Sequence, residues 1–129
     1  MGTQRSILIV DDEFGLAEML REVLRDQGYD VCLAINGRLA LDILGERGID
    51  LVITDIMMPV MDGVELATAI RHSDTHRDIS VIIMTSLPSL PRHQSDLFDA
   101  VLRKPFTPDL LLSTIEACFA MNGRHAGQR

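Results

Sequence analysis

The chain has 129 residues, a length that suits one domain with a single sizeable core. Nineteen acidic against twelve basic side chains leave a formal charge of −7, which argues against the clustered cations that nucleic-acid backbones or anionic membranes require. A hydrophobic content of 47% excludes a disordered chain, and an aromatic content of 4% with no Trp leaves no base-stacking platform.

Cys32 and Cys118 are far apart in the sequence and form no Cys-x-x-Cys pair. That suits a reduced, cytoplasmic setting and gives neither a disulfide framework nor a zinc site. The first apolar run, Ile7 to Val10, is cut off by Asp11-Asp12-Glu13, too early for a signal peptide or a membrane span.

Short apolar runs alternate with segments of helical period. Ile7 to Val10 reads as a buried strand, and Leu16, Leu20, Val23 and Leu24 then recur at spacings of three and four, with Gly28 as the helix-ending glycine. Val31 to Ala34 is a second strand, followed by an Asn36-Gly37 turn and a helix carrying Leu41 and Leu44. Leu51 to Thr54 is a third strand, and Asp62-Gly63 opens a helix through Leu66 and Ile70. Val81 to Met84 and Ala100 to Arg103 complete the strands. Thr107-Pro108 starts the last helix, with apolar stripe Leu111, Leu112, Ile115 and Phe119, and a frayed tail is expected over 122–129.

Between the fourth and fifth strands, Pro88 and Pro91 each remove a backbone donor and disfavour helix just before them. At most a short helix, around Gln94 to Phe98, fits there. The alternation implies right-handed crossovers and one α/β domain over 1–129, with its core at about 6–121: a doubly wound (βα)5 parallel sheet of flavodoxin-like kind, with a shortened or irregular fourth helix.

Asp11 and Asp12 follow strand one, Asp55 follows strand three, Thr85 and Ser86 follow strand four, and Lys104 follows strand five. Ligands of open parallel sheets bind beyond the carboxyl ends of the strands, where the strand order reverses. In the order 2-1-3-4-5, three carboxylates converge there beside a hydroxyl and an ammonium. At an effective dielectric near 20, each carboxylate pair about 5 Å apart costs on the order of 3 kcal/mol. A hard cation relieves this, and oxygen ligands select Mg²⁺, with Mn²⁺ able to substitute. A carboxylate at such a metal is placed to act as a nucleophile toward phosphorus, with Lys104 and Thr85 receiving the new phosphoryl charge.

These residues stand in recognisable strings. Ile7-Leu8-Ile9-Val10-Asp11-Asp12-Glu13, Asp55-Ile56-Met57-Met58-Pro59-Val60-Met61-Asp62-Gly63, Met84-Thr85-Ser86 and Lys104-Pro105-Phe106 occur in order over about residues 6 to 121. The chain resembles the receiver domain of bacterial two-component response regulators, standing alone or forming one part of a larger regulator or hybrid kinase.

The resemblance implies that Asp55 is the phosphoacceptor. It implies that Asp12 binds Mg²⁺ directly, that Asp11 acts mainly through bound water, and that the Met57 carbonyl supplies a further oxygen. Thr85 is implied as the switch hydroxyl and Lys104 as the phosphate-pairing lysine, followed by a cis peptide to Pro105. Pro59 and Gly63 are implied to shape the loop after Asp55. The implied donor is a phosphohistidine on a sensor kinase or phosphotransfer protein, and an unnamed downstream protein reads the result. A monomer or weak homodimer is expected, in the cytoplasm.

Two positions depart from the family pattern. Val101 stands where an aromatic residue commonly sits, and Pro88 and Pro91 replace the usual end of a full helix. Phosphorylation is therefore expected to be signalled through backbone movement of the Ser86 to Asp99 segment. Met57 and Leu87, both apolar, are expected to slow hydrolysis of the acyl phosphate. A Mg²⁺-dependent aspartyl phosphohydrolase is the rival enzyme reading, but Met57 stands where such enzymes carry a second Asp. A degenerate, phosphorylation-independent interaction module is the other alternative. His72, His76, His93 and His125 read as solvated, and Met57, Met58, Met61 and Met84 as packing residues.

Overall fold

The computed structural model describes the backbone of residues 4–90 and 96–127, and side chains within this range up to Met121. Five parallel strands, β1 (Ser6–Val10), β2 (Asp30–Ala34), β3 (Leu51–Asp55), β4 (Ser80–Thr85) and β5 (Ala100–Arg103), form one sheet in the order β2-β1-β3-β4-β5. The helices are α1 (Phe14–Asp26), α2 (Gly37–Glu46), α3 (Gly63–Arg71) and α4 (Pro108–Gly127).

The pleat sends alternate residues of each strand to opposite faces. Ile7, Ile9, Ile53, Ile82, Met84 and Leu102 bury themselves under α1 and α4, against Leu20, Leu24, Leu111 and Ile115. Leu8, Val10, Val52, Val81 and Ile83 pack on the other face against Ala40 and Leu44 of α2 and Leu66 and Ile70 of α3. The near-continuous apolar strands are thus covered on both sides, as a parallel sheet requires.

Helix ends are set by local chemistry. At Gly28, φ is +93°, the Gly28 N–H donates to the Arg25 carbonyl at 2.9 Å, and the Tyr29 N–H reaches the Leu24 carbonyl at 3.2 Å. This paired closure needs a residue at positive φ, which glycine adopts without steric cost. Asn36 does not sit in a free turn: its side-chain oxygen accepts from the Leu39 N–H at 2.9 Å and caps α2 directly. Asp62 and Glu65 form a reciprocal capping box at α3. Thr107 Oγ1 accepts from the Leu110 N–H at 3.1 Å, so Pro108 begins α4 where a missing donor costs nothing.

One expectation needs adjustment. The backbone of 122–127, expected as a tail, continues α4 to Gly127. Among the described residues between β4 and β5 there is no helix; Pro91, His93 and Gln94 lie outside the described residues. Phe98 is buried in the core on the α2–α3 face of the sheet, with Leu90 and Leu97 packed against that core.

The described residues just before β5 are anchored by one side chain. Arg71, at the end of α3, donates to the carbonyls of Leu97 (3.1 Å), Arg77 (2.8 Å) and Ile79 (2.7 Å), and pairs with Asp99 Oδ2 at 2.7 Å. Asp99 in turn accepts from the Val81 N–H at 2.7 Å.

Candidate functional site

Sheet register brings the polar residues together. Val10 pairs with Thr54, Asp55 with Met84, and Thr85 with Arg103. Asp55 and Thr85 at their strand ends, and Asp11 and Lys104 just beyond theirs, therefore cluster at the carboxyl edge. The ladder runs on past the strands, with Ile56 N–H to Met84 O at 3.2 Å and Lys104 N–H to Thr85 O at 2.8 Å.

Asp11, Asp12 and Asp55 each offer a carboxylate oxygen within 4.8 Å of the others. Lys104 Nζ lies 3.4 Å from Asp55 Oδ1 and 3.6 Å from Asp11 Oδ2. Asp11 is only 1% exposed; its Oδ1 accepts from the Glu13 N–H at 2.9 Å, but its Oδ2 has no hydrogen-bond partner. Burial above all raises the Asp11 pKa. The Glu13 N–H and Lys104 oppose the rise, while Asp55 and Asp12 add to it. A buried carboxylate oxygen without a hydrogen bond, facing two further carboxylates, fits a divalent cation of the hard, oxygen-preferring kind.

Asp55 is held from several directions. Its Oδ1 accepts from the Ile56 N–H at 3.0 Å, and the Thr54 hydroxyl donates to its backbone carbonyl at 2.8 Å. Against that same carbonyl lies Gly63, where an added Cβ would come within 2.3 Å of Asp55 O and 2.9 Å of Ile56 Cα. Only glycine allows this approach. The intervening loop turns tightly at Val60 (φ +71°), where the Met61 N–H reaches the Pro59 carbonyl at 2.8 Å. Gly37 closes the loop from the far side, its N–H donating to Met61 O at 3.1 Å. A Cβ at Gly37 would stand 2.7 Å from Met61 Cγ. The sequence reading missed this role for Gly37, because a close approach between α2 and the loop after β3 leaves no local signature.

Thr85 is fully buried, and its Oγ1 accepts from the Leu87 N–H at 3.0 Å. The Lys104–Pro105 peptide is cis, as expected. A shallow crevice of about 490 Å³ opens beside the carboxylates, with Asp12, Ile56, Met57, Pro59, Asp62 and Leu87 in its walls. Met57 is not a packing residue: it is 71% exposed, whereas Met84 is buried and Met58 and Met61 pack against the α2–α3 face.

The other candidates separate from the site. His76 is half-buried and not simply solvated: its ring nitrogens contact Leu44 O at 3.0 Å and Ser73 Oγ at 3.2 Å. His72 Nδ1 lies 2.8 Å from Thr68 O. Burial pushes the Cys118 thiol up to about 11 and raises that of Cys32, so neither is a ready thiolate.

The strand order and the acidic cluster, lysine and buried hydroxyl at the carboxyl edge make this a doubly wound α/β protein with its polar site where such sheets bind ligands. Residues 7–116 match the response regulator receiver domain family, and the chain belongs to it. It is 37% identical over 114 residues to the response regulator MprA of Mycolicibacterium vanbaalenii, covering 86% of this chain and 48% of that protein. It is also 37% identical over 113 residues to sporulation initiation phosphotransferase F of Bacillus subtilis, covering 85% and 90% respectively. The response regulator TrrA of Thermotoga maritima, solved in complex with Mg²⁺ and BeF, superposes with a TM-score of 0.81 at 34% identity, covering 89% of this chain and 99% of that one. The chain spans about half the length of the first curated relatives it matches. Receiver domains act as phosphorylation-dependent switches and interact with histidine kinases or phosphotransfer proteins. The acidic cluster and the Mg²⁺-bound relative support Mg²⁺ binding. No helix among the described residues is long and apolar enough to cross a membrane.

Proposed function

We propose that Asp55 accepts a phosphoryl group from a phosphohistidine on a sensor histidine kinase or phosphotransfer protein, and that the altered surface regulates a downstream protein. The observation that carries this reading is Lys104, whose ammonium reaches both Asp55 and the buried Asp11 at the acidic cluster. With Oδ1 of Asp55 engaged by the Ile56 N–H, the other carboxylate oxygen attacks phosphorus. An O–P bond forms, the P–N bond to the donor imidazole breaks, and the imidazole takes up a proton from water. Lys104 then pairs with the phosphoryl charge, and the Thr85 hydroxyl donates to a phosphoryl oxygen. Asp12 directly, Asp11 through water, Asp55 and the Met57 carbonyl would hold Mg²⁺, which supplies charge neutralisation; Mn²⁺ would serve in its place.

The donor docks beside Lys104. A groove of about 530 Å³ runs between α1 and the start of α4, lined by Leu16, Leu20, Val23, Phe106 and Leu111, with Lys104 at its margin. Its apolar lining suits a helix of the donor protein. The chain serves as a switch and not as an enzyme, and it acts in the cytoplasm. Met57 argues against the phosphohydrolase alternative, because a thioether at that position has no proton to give a leaving group.

The decisive experiment is mass spectrometry after incubation with acetyl phosphate, with and without Mg²⁺, alongside Asp55→Asn. A metal-dependent gain of one phosphoryl group, lost in the variant, is expected. No adduct and no beryllofluoride complex, with Mg²⁺ binding intact, would return the degenerate module as the better reading.

A further inference from the structure

Strand β5 alternates faces, and Leu102 is buried under α1 and α4. Val101 and Arg103 therefore project to the opposite side, and both are exposed. The Arg103 guanidinium donates through Nη1 to the carbonyl oxygen of Leu87. The N–H of that same Leu87 donates to Thr85 Oγ1. Thr85 and Arg103 are also register partners across β4 and β5. The contacts close a ring: the buried Thr85 hydroxyl, the two peptide groups of Leu87, the Arg103 side chain, and the sheet back to Thr85.

We propose that Arg103 is the read-out lever of this receiver, a positioning residue that holds the Thr85–Leu87 turn at rest and loses its grip on the Leu87 carbonyl when Thr85 is drawn toward a phosphoryl group on Asp55. The proposal rests on the reading of Asp55 as phosphoacceptor and of Thr85 as its hydroxyl partner. A hydroxyl has one proton to donate and lone pairs that accept. While Oγ1 accepts from Leu87, its proton remains able to turn toward a phosphoryl oxygen, and the Leu87 N–H is carried with it. The Leu87 carbonyl then moves too, because two residues of turn leave little slack. A guanidinium is a rigid, directional donor, so a small shift suffices to break its bond. The side chain of Val101, aliphatic and exposed, has no polar atom through which to couple to Thr85. The signal therefore leaves the buried site as a reorientation of one surface cation.

The test is heteronuclear NMR of the intact chain with Mg²⁺ and beryllium fluoride as the phosphoryl mimic. The wild type is compared with Arg103→Ala and Arg103→Lys. Loading should move the Arg103 Nε–Hε signal and the amides of Ser86, Leu87, Ser89 and Leu90. In Arg103→Ala those amides should start displaced toward the loaded position and shift by roughly half as much on loading. Arg103→Lys, which keeps the cation but not the fork, should fall between. The Ile56 amide reports the site itself and should respond equally in all three proteins. An Ile56 response with a stationary Arg103 signal, or with wild-type 86–90 shifts in Arg103→Ala, overturns the lever alone. A silent Ile56 overturns the phosphoacceptor reading and the lever with it. If Arg103→Ala fails to fold, the Arg103 signal of the unmutated protein decides the matter.

Discussion

Lys104 Nζ stands 3.4 Å from Asp55 Oδ1, and the same ammonium is 3.6 Å from the buried Oδ2 of Asp11. One cation thus offsets the mutual repulsion of two carboxylates. Replacing it with a neutral side chain of similar length leaves Asp11 buried without a countercharge. The lysine side chain is 21% exposed, so the loss is smaller than for a fully buried pair. Lys104→Met should lower stability by about 1–3 kcal/mol near neutral pH. Urea unfolding with and without Mg²⁺ checks this: the deficit should shrink with the metal, and an unchanged midpoint would contradict the electrostatic account.

Asp11 gives the pH dependence. Its pKa is raised in the folded protein, chiefly by burial, so between the unfolded and folded values the native state binds more protons than the unfolded one. Stability from this group therefore falls as pH rises through that window. The cost is absent below the ordinary carboxylate range and complete above the folded pKa. Asp11→Asn should gain about 1 kcal/mol at neutral pH, the order of relieving one unpartnered buried polar atom. The gain should fade as pH drops through the window. The same variant should lose the stabilisation that saturating Mg²⁺ confers on the wild type, about 2.7 kcal/mol at a hundredfold excess over Kd. Thermal melts across pH, with and without Mg²⁺, measure both effects.

Gly63 begins α3, where alanine would ordinarily be the better helix former by about 1 kcal/mol. Here a Cβ would come within 2.3 Å of the Asp55 carbonyl and 2.9 Å of Ile56 Cα. Both are backbone atoms that Thr54 and the sheet hold in place. The clash should outweigh the propensity gain, and Gly63→Ala should lose about 1–3 kcal/mol. Because the displaced carbonyl belongs to Asp55, phosphoryl uptake from acetyl phosphate should slow as well. A variant as stable and as reactive as wild type would show that the loop yields more easily than this packing implies.

The site was legible because each of its members follows a strand. Once the strand ends are read, Asp11, Asp12, Asp55, Thr85 and Lys104 have to share one edge, and the register puts them there. Gly28 was legible because a glycine after the last apolar repeat is a local signal. Gly37, Arg71 and Arg103 were not. Gly37 is dictated by a loop 24 positions away, and Arg71 by carbonyls and a carboxylate up to 28 positions on. An arginine at a helix end or on an edge strand carries no mark that separates a solvated charge from a clamp. Asn36-Gly37 favours a turn by its composition, yet the same amide side chain caps a helix equally well.

Arg71 yields a prediction of its own. Its guanidinium holds three carbonyls and Asp99, closing the stretch where the described residues form no helix. Arg71→Ala should lower stability by about 2–4 kcal/mol, as loss of a partly buried hydrogen-bonded network does. Arg71→Lys should recover little, because one ammonium does not span four acceptors held by a planar fork. Hydrogen exchange should show the loss concentrated in 96–99 and the start of β4. Recovery to wild-type stability by lysine would mean that charge alone, through Asp99, carries the contact.

Met57 and Leu87 face the crevice beside the acidic cluster, both apolar and both exposed. Hydrolysis of an acyl phosphate needs a water lined up on phosphorus opposite the aspartyl oxygen. Polar side chains at the crevice would orient that water by hydrogen bonds, whereas a thioether and an isobutyl group offer it almost nothing and hinder its approach. The phosphorylated protein should therefore persist for minutes or longer, as the two residues predict together. Met57→Asn should shorten the lifetime about 2–10-fold, the modest end of what positioning a reactant contributes. Leu87→Asn should do so to a similar extent, and the double variant should exceed either. Intact-mass spectrometry after removal of acetyl phosphate gives the decay directly. A wild-type half-life of seconds, or decay unchanged in both single variants, would show that some other group controls access to the phosphoryl.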